Sequence, residues 1–114
     1  MTPPPGIRLA GTGMCLPTRI LTNDQLATMV DTSDAWISQR TGIRERRIAA
    51  EETDTRQLGT DAVREALERA ELDPAELDLL ICATLTPEMT CPSTAARIVA
   101  DLGATPAGAM DLSA

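Results

Sequence analysis

Apolar positions follow two rhythms along this chain. In "DTRQLGTDAVREALERAEL", residues 54–72, Leu58, Ala62, Ala66 and Ala70 recur every four residues, with Val63 and Leu67 beside them. Asp61, Arg64, Glu65, Glu68 and Arg69 take the opposite side. That pattern predicts an amphipathic helix with Asp61–Arg64 and Glu65–Arg69 ion pairs along its wet face. "PSTAARIVADLG" (92–103) predicts a second helix, started by Pro92 and closed by Gly103. Two shorter helices are expected earlier. One is "TNDQLATMV" (22–30), capped by Thr22 or Asn23. The other is "TSDAWISQRTG" (32–42), capped by Thr32 or Ser33, with Asp34 at the positive end and Gly42 at the exit.

The second rhythm belongs to strands. "IRLAGTGMCLP" (7–17) reads as a first strand ended by Pro17, and "IRERRIA" (43–49) alternates like a half-exposed one. "LDLLICATL" (77–85) is a continuous apolar run, the pattern of a parallel strand buried on both faces. "LDPAELD" turns the chain before it, with Pro74 suited to a first helical position. "AGAMDLSA" (107–114) is again small, apolar and strand-like. Strands alternating with helices predict an α/β layered fold. Nothing in the sequence follows the last strand to cover it, so residues 1–114 read as an incomplete first part of a larger domain.

Composition narrows the chemistry. Hydrophobic residues make up 43%, too many for a disordered chain, yet Trp36 is the single aromatic residue. The core must therefore be Leu, Ile, Val, Ala and Met. All ten basic residues are Arg, and the net charge of −7 argues against a general nucleic-acid binder. No apolar run approaches the roughly 20 residues that cross a bilayer, and the start lacks a secretory pattern. These features predict a cytoplasmic protein with no membrane partner. With no His, and with Cys15, Cys82 and Cys91 outside any CxxC spacing, a zinc site is not expected, and no Cys–His or Ser–His pair can be assembled from this chain alone. A disulfide framework is not expected in a reducing compartment. Cys15 and Cys82 look like strand-core residues, and Cys91 sits in a turn-like loop before a helix. "GTG" (11–13) lacks the third glycine of a dinucleotide fingerprint and suits close backbone packing in a strand.

Four of the ten arginines (Arg40, Arg44, Arg46 and Arg47) follow Trp36 within eleven residues. Trp36 and Arg40, four apart, share a helical face. Two readings stand side by side. One is a surface cation–π contact between neighbours. The other is a nucleotide clamp, the indole stacking on a base and the guanidinium holding a phosphate.

"GTGMCLP" (11–17), "TN" (22–23), "DTSDAWI" (31–37), "RTGIRER" (40–46), "LDLLICAT" (77–84), "CPSTAARI" (91–98) and "MDLSA" (110–114) occur in the order of one family. Together they resemble the N-terminal region of the beta-ketoacyl-acyl-carrier-protein synthase III family, condensing enzymes of the thiolase fold. The resemblance implies the first part of a layered αβαβα fold. It implies acyl-CoA and an acyl carrier protein as substrates, a homodimer, and an acyl-cysteine intermediate with no cofactor. It implies that Trp36 stacks on the CoA adenine, that Arg40 contacts its phosphates and that Thr32 hydrogen-bonds near the base. Cys91 falls where some members have Phe at the tip of a loop that closes the partner protomer's acyl pocket. The family's catalytic Cys would lie two positions after Ala114, with its His and Asn further on. The resemblance thus assigns no catalytic residue to this chain, and activity would need the remainder of the enzyme, in the same polypeptide or as a second chain. A related acyltransferase or polyketide-priming synthase of secondary metabolism, and a non-catalytic module binding CoA or a partner, are the alternatives.

Overall fold

The computed structural model describes residues 6–113. They divide into two compact units: Leu16–Thr53, and the remainder of the described chain. Ala114, the last residue of the expected final strand, lies outside the described residues.

The first unit is a two-stranded antiparallel ribbon carrying two short helices. Strand β1, Arg19–Thr22, pairs with β2, Glu45–Ile48, in a register that sets Ile20 opposite Arg47. The half-exposed strand expected at 43–49 is β2. Its partner β1 has no sequence signature, because "RILT" is too short and mixed to show a rhythm. Helix α1 is Asn23–Ala27, and Thr22 rather than Asn23 is its cap, in a capping box with Gln25. Helix α2 is Asp34–Thr41. Ser33 rather than Thr32 caps it, and Gly42 closes it in the left-handed region at φ 73°.

The second unit is a β-α-β layer. The long helix α3 is Thr55–Ala70, capped by Asp54 in a box with Gln57. Its wet face carries the expected pairs, Arg64 to Asp61 at 3.0 Å and Arg69 to Glu65. A 3-10 turn at Pro74–Glu76 leads into strand β3, Leu79–Ala83. Helix α4, Thr94–Leu102, returns the chain to strand β4, Gly108–Leu112, which runs parallel to β3 with Cys82 beside Asp111. Pro92 stays outside α4, and Ser93 supplies the cap instead.

Leu80 from β3 and Ala95 and Ile98 from α4 form the buried centre, with Val63, Cys82, Val99, Leu102 and Ala109 packed against it. Ile98, 2% exposed, gives up nearly all its surface to this contact, a burial that stabilises by about 1.5–3 kcal/mol. Two expectations need correction here. β3 is not buried on both faces. Leu80 and Cys82 turn to the helices, whereas Leu79, Ile81, Met110 and Leu112 are exposed on the other side of the sheet. Helices α3 and α4 cover one face only. Nor do residues 7–17 form a strand. Among the described residues β3 and β4 pair only with each other, so this segment has no ladder to join. Its backbone partners come from α3 instead: Glu65 accepts from the Met14 N–H, and Arg69 donates to the Thr12 carbonyl at 3.3 Å. Cys15 is therefore no strand-core residue; it is half-buried with its thiol 3.9 Å from Asp61 Oδ2. The close packing expected of "GTG" is present, but against the backbone of α3. A Cβ at Gly11 or Gly13 would overlap the carbonyl oxygens of Ala66 and Ala62.

A chain of charges closes this unit. Arg97 on α4 meets Glu88 in the 84–93 loop and Asp54 at 3.8 Å, and Arg56 joins Asp54 to Asp101, the latter at 3.1 Å. These side chains are a third exposed or less. A linked, partly desolvated set of this kind holds its geometry better than isolated surface pairs.

Candidate nucleotide-binding site

Helix α2 presents Trp36 and Arg40. It is largely polar all round, with Ile37 its one buried residue, so packing alone does not fix it. Caps at both ends and side-chain bonds do that work. Ser33 Oγ accepts from the Trp36 N–H at 3.1 Å, and Thr41 Oγ1 donates to the Ile37 carbonyl at 2.8 Å. Asp34 accepts from the Asn23 amide at 2.8 Å and from the Ser38 hydroxyl at 3.1 Å. Those two bonds, with the nearby Arg44 charge, hold its carboxyl below the usual carboxylate range against the opposing effect of burial.

Trp36 is 54% exposed, although an indole is among the most rewarding groups to bury. The Arg40 guanidinium carbon lies 4.7 Å from the ring centroid, the geometry of a cation–π contact. The indole also lines an open cavity of about 630 Å³ with Asp31, Thr32 and Ser33. The expected residues Thr32, Trp36 and Arg40 are thus brought together, and Trp36 belongs to both features. Asp31 makes the cavity wall acidic, which suits the amino edge of a base better than a phosphate; the positive charge sits at Arg40.

Cys91, the fourth expected residue, is exposed in the 84–93 loop. Cys82 lacks the setting of a nucleophile. Burial pushes the Cys82 thiol up, helped by the carboxylates of Asp111 and Glu88. The free N–H groups of the first turn of α4, where a thiolate or phosphate would be favoured, are taken: Asp111 accepts from Thr94 and Ala95, both at 2.8 Å, and Ser93 accepts from Ala96. Sequence reasoning missed this use of Asp111, because the bond joins a strand to a helix 16 or 17 residues away. No group of side chains suited to a metal ion occurs among the described residues, and no described helix is long and apolar enough to cross a membrane.

No family model matches the chain. Individual proteins do. It is 53% identical over 108 residues to the beta-ketoacyl-[acyl-carrier-protein] synthase III of Symbiobacterium thermophilum, a match covering 95% of this chain and 33% of that protein. The crystal structure of 3-oxoacyl-[acyl-carrier-protein] synthase III from Aquifex aeolicus superposes with a TM-score of 0.86 at 53% identity, over 96% of this chain and 35% of that one. The priming beta-ketosynthase of the R1128 polyketide biosynthetic pathway gives a TM-score of 0.85 at 40% identity, with the same coverage of 96% and 35%. The chain therefore spans about a third of the length of the proteins it matches. In sequence and in fold, it corresponds to about one third of a beta-ketoacyl-[acyl-carrier-protein] synthase III, a family of the thiolase fold.

Proposed function

We propose that this chain is the CoA-binding portion of a condensing enzyme that starts fatty acid synthesis. The reaction moves an acyl group from acyl-CoA to an enzyme cysteine with release of CoA. Condensation with malonyl-acyl-carrier protein then forms 3-oxoacyl-acyl-carrier protein and carbon dioxide. The observation that carries this reading is the 53% identity, over nearly the whole chain, to a protein of that name. The exposed indole beside a guanidinium and a cavity agrees with it: Trp36 stacks on the adenine, Arg40 meets the phosphates and Thr32 bonds near the base. The working enzyme is a cytoplasmic homodimer, and the nucleophile comes from outside these 114 residues. The raised Cys82 pKa and the occupied N-terminus of α4 support that last point. The likeness to a polyketide-priming ketosynthase favours one second reading, the same priming chemistry within secondary metabolism.

Incubated with radiolabelled acyl-CoA, the 114-residue chain is expected to remain unlabelled, while the full-length polypeptide takes one acyl group per protomer. Stable acylation of Cys15, Cys82 or Cys91 in the short chain would show that the nucleophile has been misplaced.

Primer choice follows from Cys91. A thiol where some members have a phenyl ring leaves room for a primer longer than acetyl, or a branched one. In the full-length enzyme, Cys91→Phe is expected to cut kcat/KM for such primers by about tenfold or more relative to acetyl-CoA, as mismatched pocket volume does. A sharp acetyl preference, identical in both enzymes, refutes the assignment.

A further inference from the structure

Asn23 is 1% exposed. A buried amide costs free energy unless its donors and acceptor are matched, and here they are. Its Nδ2 donates to Asp34 Oδ1 and to the Ile43 carbonyl, both at 2.8 Å, and its Oδ1 accepts from Arg46 at 3.0 Å. Its backbone N–H donates to the Arg44 carbonyl at 3.2 Å. Asp34 is the first residue of α2, and Ile43 follows Gly42, which caps the other end. One side chain at the start of α1 therefore grips both ends of the helix that carries Trp36 and Arg40. Since α2 buries only Ile37, little else dictates its tilt or rotation. Neither isosteric replacement keeps this grip: leucine offers no donors, and aspartate would set a carboxylate against Asp34 and the Ile43 carbonyl.

We propose that Asn23 is a positioning residue for the nucleotide site: it sets the pose of α2, and through it the Trp36–Arg40 pair offered to CoA. The proposal rests on the reading of that pair as a CoA site. It extends that reading to a side chain that touches no ligand. Asn23 acts on helix placement, so its loss alters binding geometry at temperatures where the fold is intact.

The test uses the full-length polypeptide and CoA as the probe, with Kd from calorimetry, melting temperature, and KM and kcat for acyl-CoA. Asn23→Ala and Asp34→Ala are each expected to weaken CoA binding about tenfold, the loss of a charge-assisted hydrogen bond, with kcat changed less than about twofold. Asp34→Asn keeps an oxygen acceptor for the Asn23 amide and is expected to stay within about threefold of the parent Kd. An unchanged Kd in both alanine variants overturns the proposal, even where the melting temperature falls, because that is the signature of a purely structural residue. Loss of kcat at unchanged KM overturns it too. If Asn23→Ala fails to fold, Asp34→Ala decides alone, since it leaves Asn23 its other two partners. Trp36→Ala separates the two levels. If it weakens CoA binding and the alanine variants at 23 and 34 do not, Asn23 is structural and the CoA site stands. If Trp36→Ala leaves CoA binding intact, the site reading and this proposal fail together.

Discussion

Gly13→Val is expected to be the most damaging single substitution in the glycine stretch, lowering stability by at least about 3 kcal/mol, the upper end of overpacking effects. A Cβ at this position meets the Ala62 carbonyl oxygen and lies 2.5 Å from the Ala66 nitrogen, so the obstacle is helix backbone that no rotamer change can relieve. Relief requires moving the 7–15 segment off α3. That movement also strips Glu65 and Arg69 of their bonds to Met14 and Thr12. Against a total of about 5–15 kcal/mol for a domain, the loss is severe. A thermal melt of the full-length variant should show a fall of at least about 4 °C, or no soluble protein. Gly6→Val is the control, because nothing lies within 4 Å of its Cβ direction. Melting temperatures within a couple of degrees for both variants would show that the segment does not press on α3.

Trp36→Ala is expected to weaken CoA binding about 30-fold while leaving the melting temperature nearly unchanged. Stacking of a base on an aromatic ring contributes about 1–3 kcal/mol by alanine substitution, a factor of roughly 5 to 150 in affinity. The side chain is more than half exposed, so its removal opens no cavity in the core. Arg40→Lys tests the other half of the pair. Lysine keeps the charge, but neither stacks like the planar guanidinium nor offers its fork to a phosphate. It should recover only part of the affinity that Arg40→Ala loses. Calorimetric titration of CoA into the full-length variants measures both. A Kd within twofold of the parent for Trp36→Ala would return the pair to a plain surface contact.

Local rules were readable where the chain supplies both partners within a few residues. The caps at Thr22 and Ser33, the exit at Gly42 and the Arg64 and Arg69 pairs are of this kind, and all stand in the structure. So are the Trp36–Arg40 stack and its nearness to Thr32. What escaped the sequence depends on partners far along the chain. Nothing near Asn23 says that its amide will meet Asp34 and Ile43, and nothing near Asp111 says that it will serve the start of α4. The 7–17 segment failed for a related reason. Its residues have strand character, but a strand exists only with a neighbour, and the glycines that suggested tight packing did not say against what. The apolar run of β3 correctly predicted a parallel pair and overpredicted its cover, because a side chain's character does not record which layers are present.

The isolation of Trp36 has an optical consequence. With no tyrosine and no other tryptophan, the near-ultraviolet absorbance and the intrinsic fluorescence of this 114-residue chain arise wholly from the one indole that Arg40 covers and the cavity adjoins. Its emission spectrum is therefore a spectrum of the site. Movement of the guanidinium, or a base drawing up to the ring, registers without any attached dye and without background from the core.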